Sequence, residues 1–185
     1  MLRSCCAVSA LTLCAVSPAL AQEVEAGGKL RLTRGISTIE GQGGGGITPW
    51  ALITGDETGH GIGATAHVTA VELPDYAFLS YGIGVGLFDR VELSYTRQEF
   101  DTQNVGTALG LGQGFTFGQD VFAAKVRVAG DAIYDQDKWL PQIALGANWK
   151  TNDQGAVVSA IGGSGDEGWE TYASATKVLL DKSLL

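Results

Sequence analysis

Residues 77–95 read AFLSYGIGVGLFDRVELSY and alternate between apolar side chains and small, polar or charged ones. Every odd-numbered position of this stretch is apolar except Asp89. A period of two indicates a β-strand with one apolar face and one polar face. Because Asp89 interrupts the pattern between Phe88 and Arg90, the stretch predicts two antiparallel strands joined by a very short turn.

The first of these strands is predicted over 76–88, which is longer than most strands of soluble sheets. A strand that crosses a bilayer needs about 9–11 tilted residues. The alternation recurs along the chain, although Pro49 limits strand pairing at its own position. The other predicted strands cover residues 29–33, 47–54, 62–72, 90–98, 121–129, 142–150 and 169–180. The pattern predicts an all-β, antiparallel, up-and-down transmembrane β-barrel with about eight strands before Asp181.

The connections between these strands differ in length. With eight strands, the long loops at 41–46, 99–120 and 151–168 lie on one side, and the short turns near Asp89 and Lys182 lie on the other. Outer-membrane barrels have long external loops and short periplasmic turns. If 47–54 is not a strand, the alternative is that the glycine-rich stretch 41–46 forms an inward plug. Since a ninth strand barely begins at Leu184, we expect an incomplete barrel with a truncated C-terminus.

The N-terminus predicts export. Residues 1–21 combine a positive start, an apolar stretch and a small-x-small ending at Ala21, which is typical of a signal peptide. We therefore expect a short tail at 22–28 and a partial barrel over 29–185. All three cysteines lie in the leader, so no disulfide framework is expected. The net charge of −8 argues against nucleic acid as a partner.

The polar rows of the predicted strands define a candidate interior. Lys125, Arg127 and Lys150 avoid the apolar rows, as a lipid-facing surface requires. Glu92 is expected near Arg127 across the 99–120 loop. The residues predicted to line the lumen are Thr65, His67, Glu92, Lys125, Arg127, Asn148 and Lys150.

Several strings of the sequence, in order, resemble one protein family. They are Gly43–Ile53 (GGGGITPWALI), Gly86–Tyr95 (GLFDRVELSY), Gly110–Phe122 (GLGQGFTFGQDVF), Tyr134–Gln142 (YDQDKWLPQ) and Ala175–Lys177 (ATK). They resemble the proteobacterial family called Domain of Unknown Function 3034. The resemblance implies an exported β protein of the Gram-negative outer membrane whose chain continues beyond residue 185. It implies no ligand, reaction or catalytic residue.

Three functions remain open at this point. The first is porin-like passage or binding of small solutes by a non-enzymatic barrel in contact with outer-membrane lipid. The second is an outer-membrane hydrolase that uses His67 with Ser80 and Glu92. The third is a soluble periplasmic β-protein that binds a ligand. The sequence predicts the first, with no cofactor, metal or catalytic site.

Overall fold

The computed structural model describes Lys29 and residues 36–179. The predicted leader (1–21), the tail (22–28), residues 30–33 of the first predicted strand and the predicted turn at 181–183 lie outside the described residues. The elements are β1 (Gly44–Gly45), β2 (Thr48–Pro49), β3 (Ile62–Glu72), β4 (Ala77–Leu87), β5 (Val91–Asp101), α1 (Gln103–Ala108), β6 (Thr116–Ala129), β7 (Gln142–Asn152), α2 (Gly155–Ala160) and β8 (Glu167–Thr176).

Strands β3 to β8 form one antiparallel sheet in which each strand pairs with its neighbour in the chain. The predicted all-β, antiparallel, up-and-down architecture is confirmed at this level. Within residues 36–179, β3 pairs only with β4 and β8 pairs only with β7, so this part of the chain does not close a barrel. Neither helix in the same range has the length and hydropathy needed to cross a membrane.

The hairpin predicted from the opening stretch is present. Leu87 pairs with Val91, and the backbone N–H of Arg90 donates to the carbonyl of Leu87 at 2.9 Å. Phe88 and Asp89 both have positive φ, at 55° and 49°. Two consecutive positive φ angles are typical of a type I′ turn, whose twist matches that of the flanking strands.

The predicted loop boundaries at 99–120 and 151–168 are wrong. Strands β5 and β6 remain paired as far as Asp101 and Thr116, so the connection is residues 102–115 and contains α1. The second connection is 153–166 and contains α2, while β8 ends at Thr176 rather than at residue 180. Gly118 lies within the predicted loop, but its backbone pairs with that of Glu99 on β5. Both connections lie at one end of the sheet, the helix end, and the 88–90 turn lies at the other, the turn end.

The predicted strand at 47–54 is also wrong. Only Thr48 and Pro49 pair, and they pair with β1 rather than with the large sheet. Pro49 cannot donate a backbone hydrogen bond, and the four glycines that precede Ile47 are poor strand formers. Residues 36–57, called the inner segment below, instead lie against one face of the sheet, as the plug alternative predicted.

The inner segment shows that the sheet is strongly curled. The N–H of Ala51 donates to Thr176 on β8 at 2.9 Å, and the Thr54 hydroxyl lies 2.8 Å from that of Thr65 on β3. Ala51 and Thr54 are three residues apart, so their backbones are separated by at most about 11 Å. In a flat six-stranded sheet, the outermost strands would be about 24 Å apart. The six strands therefore wrap around the inner segment.

Candidate functional site

The two faces of the sheet have the opposite polarity to that of an ordinary globular protein. Polar side chains are buried on the face against the inner segment, where apolar ones are the rule. They include Ser80, Glu92, Thr96, Lys125, Gln142 and Asn148. The other face exposes large apolar side chains, which include Val68, Ile83, Leu93, Leu145 and Trp169. The apolar row of the opening stretch is thus the exposed row.

An ion pair lies at the centre of the covered face. Lys125 Nζ is 2.9 Å from Glu92 Oε2, and the two side chains are 0% and 1% exposed. Glu92 also accepts hydrogen bonds from the N–H groups of Gly43 and Thr54, at 2.9 and 2.7 Å. Lys125 donates to the carbonyls of Gly43 and Trp50, at 3.0 and 3.1 Å. The pair joins β5, β6 and the inner segment in one fully bonded cluster.

Glu92 and Arg127, which are predicted to lie near each other, are diagonal neighbours on β5 and β6, and Glu92 forms its ion pair with Lys125. The register places Glu92 opposite Lys125, and Arg127 lies two residues nearer the turn end. Arg127 forms ion pairs with Asp89 and, at 3.0 Å, with Asp131. Burial opposes ionisation of Asp131, but backbone N–H donors and the Arg127 guanidinium outweigh it and lower the pKa of this carboxyl.

Asn148 and Lys150 bind the start of the inner segment. Asn148 Nδ2 donates to Glu40 at 3.0 Å, and Gln42 Nε2 donates to Asn148 Oδ1 at 2.8 Å. Lys150 Nζ lies 2.5 Å from Glu40 and 2.7 Å from Glu170 on β8. These contacts fix the inner segment to β7.

Thr65 and His67 lie on the covered face of β3. The hydroxyl of Thr65 bonds to Thr54, as described above. His67 Nε2 is buried and has no hydrogen-bond partner among the residues that the structure describes. The imidazole lies against Gly82, where a methyl group would be 2.8 Å from Cε1. All seven residues predicted to line a lumen therefore lie on or beside the covered face.

His67, Ser80 and Glu92 do not assemble into a catalytic triad. Along β4 and β5, Glu92 lies opposite Gly86, six residues from Ser80. Six residues of strand correspond to about 20 Å, far beyond hydrogen-bond reach. The Ser80 hydroxyl donates to the carbonyl of Ile39 at 2.6 Å.

Glu57 is not among the residues predicted from the sequence, and it lies between the predicted strands 47–54 and 62–72. Its side chain is fully buried, and neither carboxylate oxygen accepts a hydrogen bond from another of the described residues. Methyl groups at Gly55, Gly63 and Gly86 would lie 2.4, 2.1 and 2.0 Å from these oxygens. The three glycines thus create a niche that a side chain on any of them would fill. Burial raises the pKa of Glu57 to about 7, although Lys29 opposes the shift.

A cavity of about 370 Å³, lined by several charged side chains, lies at the turn end beside this niche. Its lining includes Lys29, Glu57, Asp89, Arg127, Asp131 and Gln142. Acidic and basic groups are balanced there, so the cavity favours neither sign of ion. Within residues 36–179 and Lys29, no three His, Cys, Asp or Glu side chains are grouped so that they could hold a metal ion.

The exposed face carries a row of aromatic rings across four strands. Tyr95, Phe122, Trp149 and Trp169 occupy successive register positions on β5 to β8. Their ring centroids are 5.0, 5.4 and 6.1 Å apart. Two residues nearer the helix end, Arg97 forms ion pairs with acidic residues of β6 and the α2 connection. An aromatic row is thus bordered by charge on one side and apolar side chains on the other.

The family model for a protein of unknown function, DUF3034, matches residues 33–184 of the chain. The comparisons with curated proteins and with solved structures gave no significant match.

Proposed function

Given that this chain belongs to DUF3034, a family of proteins of unknown function, we propose that it is an outer-membrane β-barrel protein of the porin-like class. Its polar interior, partly filled by the inner segment, binds or passes small solutes. The lining would be the seven residues predicted from the sequence. This function is non-enzymatic and needs no cofactor.

The observation that carries the proposal is the inverted polarity of the sheet. A fully buried Glu92–Lys125 pair lies on one face, while Trp169 and Val68 on the other are 73% and 74% exposed. A water-soluble sheet would gain by burying those apolar side chains, at about 25 cal/mol per Å². A lipid environment removes that penalty, and alternation of apolar-out with polar-in is the pattern of transmembrane strands.

The dimensions of the exposed face support the same proposal. The outward row of β4 is apolar from Leu79 to Leu87. These two residues are eight positions apart, which corresponds to about 27 Å of strand. With a strand tilt of about 40°, this row spans about 21 Å of height, near the apolar band of about 25 Å in such proteins. The aromatic row bordered by the Arg97 cluster is typical of an interfacial girdle.

The inner segment occupies part of the interior through which solutes would pass. Its hydrogen bonds reach all six strands of the sheet, from Thr65 on β3 to Thr176 on β8. We therefore expect the full-length protein to conduct poorly with the segment in place, and to conduct when it is displaced. Lining charges of both signs predict little ion selectivity.

Membrane fractionation with heated and unheated gel samples tests the proposal. We expect the protein in the outer-membrane fraction, extractable only by detergent, with a mobility change on boiling. Release by osmotic shock without detergent would instead identify a soluble periplasmic protein and refute the proposal.

Tryptophan quenching in brominated-lipid vesicles tests which face contacts lipid. Two single-tryptophan variants are compared, one that retains Trp149 on the exposed face and one that retains Trp50 on the inner segment, with the other tryptophans replaced by Phe. We expect bromine to quench Trp149 strongly and Trp50 weakly. Equal quenching of the two, or protection of Trp149 from lipid, would contradict the proposed orientation.

A further inference from the structure

Glu57 is the one carboxyl of the inner segment that is buried in contact with the strands and accepts no hydrogen bond within the described residues. Both oxygens are enclosed by the backbone of β3 and β4 at Gly63 and Gly86. Glu40, the matched carboxyl at the other end of the segment, is held by Asn148 and Lys150. The niche of Glu57 suits a neutral carboxylic acid, which needs less solvation than a carboxylate.

The charged groups around the niche do not compensate for an ionised Glu57. Lys29 lies 3.8 Å away, but its ammonium is 3.0 Å from Asp89 and donates to the carbonyl of Ile53 at 2.5 Å. Asp89 in the 88–90 turn and Glu92 on β5 are negative and oppose a further negative charge, and Arg127, which lines the same cavity, is paired with Asp89 and Asp131. Glu92 is itself already paired with Lys125. A carboxylate in this niche is therefore poorly stabilised.

We propose that Glu57 is a proton-controlled latch: in its protonated form it seats the inner segment against β3 and β4, and its ionisation loosens the segment. Acidic pH would hold the segment in place, and neutral pH would allow it to leave. This inference concerns the segment itself and does not depend on whether the strands cross a membrane.

The direction and range of the pH dependence follow from linkage. With the segment seated, the pKa of Glu57 is about 7; once it is released into water, an ordinary value of about 4.3 applies. A group whose pKa is raised in the seated state contributes its full stabilisation at a pH below the pKa of the released state. It loses that stabilisation as the pH rises to the pKa of the seated state. We therefore expect the seating to weaken by about tenfold per pH unit between about pH 5 and pH 7, and to level off above.

Hydrogen exchange of the full-length protein in detergent micelles, expressed as protection factors for residues 36–57, tests the latch. In the wild type, protection should fall by about tenfold per unit over that range. Glu57→Gln, which mimics the protonated form, should keep high protection at every pH. The matched variant Glu40→Gln should retain the wild-type slope, since its carboxyl is paired in the seated state.

His67 is also a titratable residue and lies on the covered face of β3, so His67→Gln is the second control. The latch is supported if this variant keeps the slope, and overturned if the slope disappears. A wild-type profile without slope, or a Glu57→Gln profile that follows the wild type, would also overturn it. If Glu57→Gln does not fold, a carboxyl carbon NMR titration of wild-type Glu57 decides: a midpoint near the ordinary value refutes the latch.

Failure of the latch and failure of the proposed function are distinguishable. Brominated-lipid quenching of Trp149 at fixed pH reports on the membrane and does not depend on Glu57. A flat exchange profile together with strong quenching would eliminate the latch and leave the barrel proposal intact. A sloped exchange profile together with weak quenching of Trp149 would eliminate the barrel proposal and leave the latch intact.

Discussion

Replacement of Lys125 by Met removes one partner of the buried ion pair while keeping most of the side-chain volume. Glu92 then retains two backbone N–H donors, but its negative charge has no counter-ion. The carbonyls of Gly43 and Trp50, which accept from Nζ at 3.0 and 3.1 Å, lose their donor. Removal of one partner of a buried pair costs about 3–5 kcal/mol, and we expect Lys125→Met to lower the free energy of unfolding by that amount.

The assay is reversible urea unfolding of the protein in detergent micelles, followed by tryptophan fluorescence. Lys138→Met is the matched control, because Lys138 is 68% exposed and pairs with Asp135 at the surface. Such exposed pairs contribute about 0–1 kcal/mol. The double variant Glu92→Leu/Lys125→Met should recover part of the loss, since it leaves no unpaired buried charge. A cost for Lys125→Met no larger than that of Lys138→Met would refute the reasoning.

Three further predictions follow from particular contacts. Gly86→Ala should displace the inner segment and lower its hydrogen-exchange protection, because the new methyl group would lie 2.0 Å from the carbonyl oxygen of Thr54. The control is Gly168→Ala, whose methyl group would meet nothing within 4 Å and should have no such effect. Wild-type stability should decline as pH falls below about 4, since the pKa of Asp131 is lowered in the fold; in acid unfolding, Asp131→Asn should show a smaller decline. In Arg97→Gln, the pKa of Asp153, which the guanidinium lowers through a hydrogen bond, should return toward its ordinary value in an NMR titration.

The sequence predicted the strands because their polarity is a local property. The alternation in 77–95 placed Glu92 and the outward Tyr95 on opposite faces, and the same rule placed Lys125 on the covered face. The extent of β5 and β6 could not be predicted in this way. Gly118 has little strand propensity of its own, and its conformation is decided by a paired neighbour.

The candidate site was predictable only in part, for a similar reason. The basic residue that pairs with Glu92 is decided by the register between β5 and β6. The two predicted strands, 90–98 and 121–129, are more than twenty residues apart in the sequence, so their register could not be predicted from local pattern. Glu57 was missed because its environment is built from Gly63 and Gly86, on two other strands. The available signal was the row of glycines on the polar face of β4, because glycine within a strand marks either a bend or a close approach of other backbone.

The inner segment has a consequence for the order in which the molecule forms. Each hairpin of the sheet joins neighbours in the chain, so its contacts are local. Gln42 meets Asn148 across 106 residues, and Ala51 meets Thr176 across 125. Loop closure over such separations is entropically costly and slows folding. Among the described residues, the segment precedes every long strand and can complete its bonds only after the last of those strands has arrived. The part of the described fold that is synthesised first is therefore the last to reach its final position.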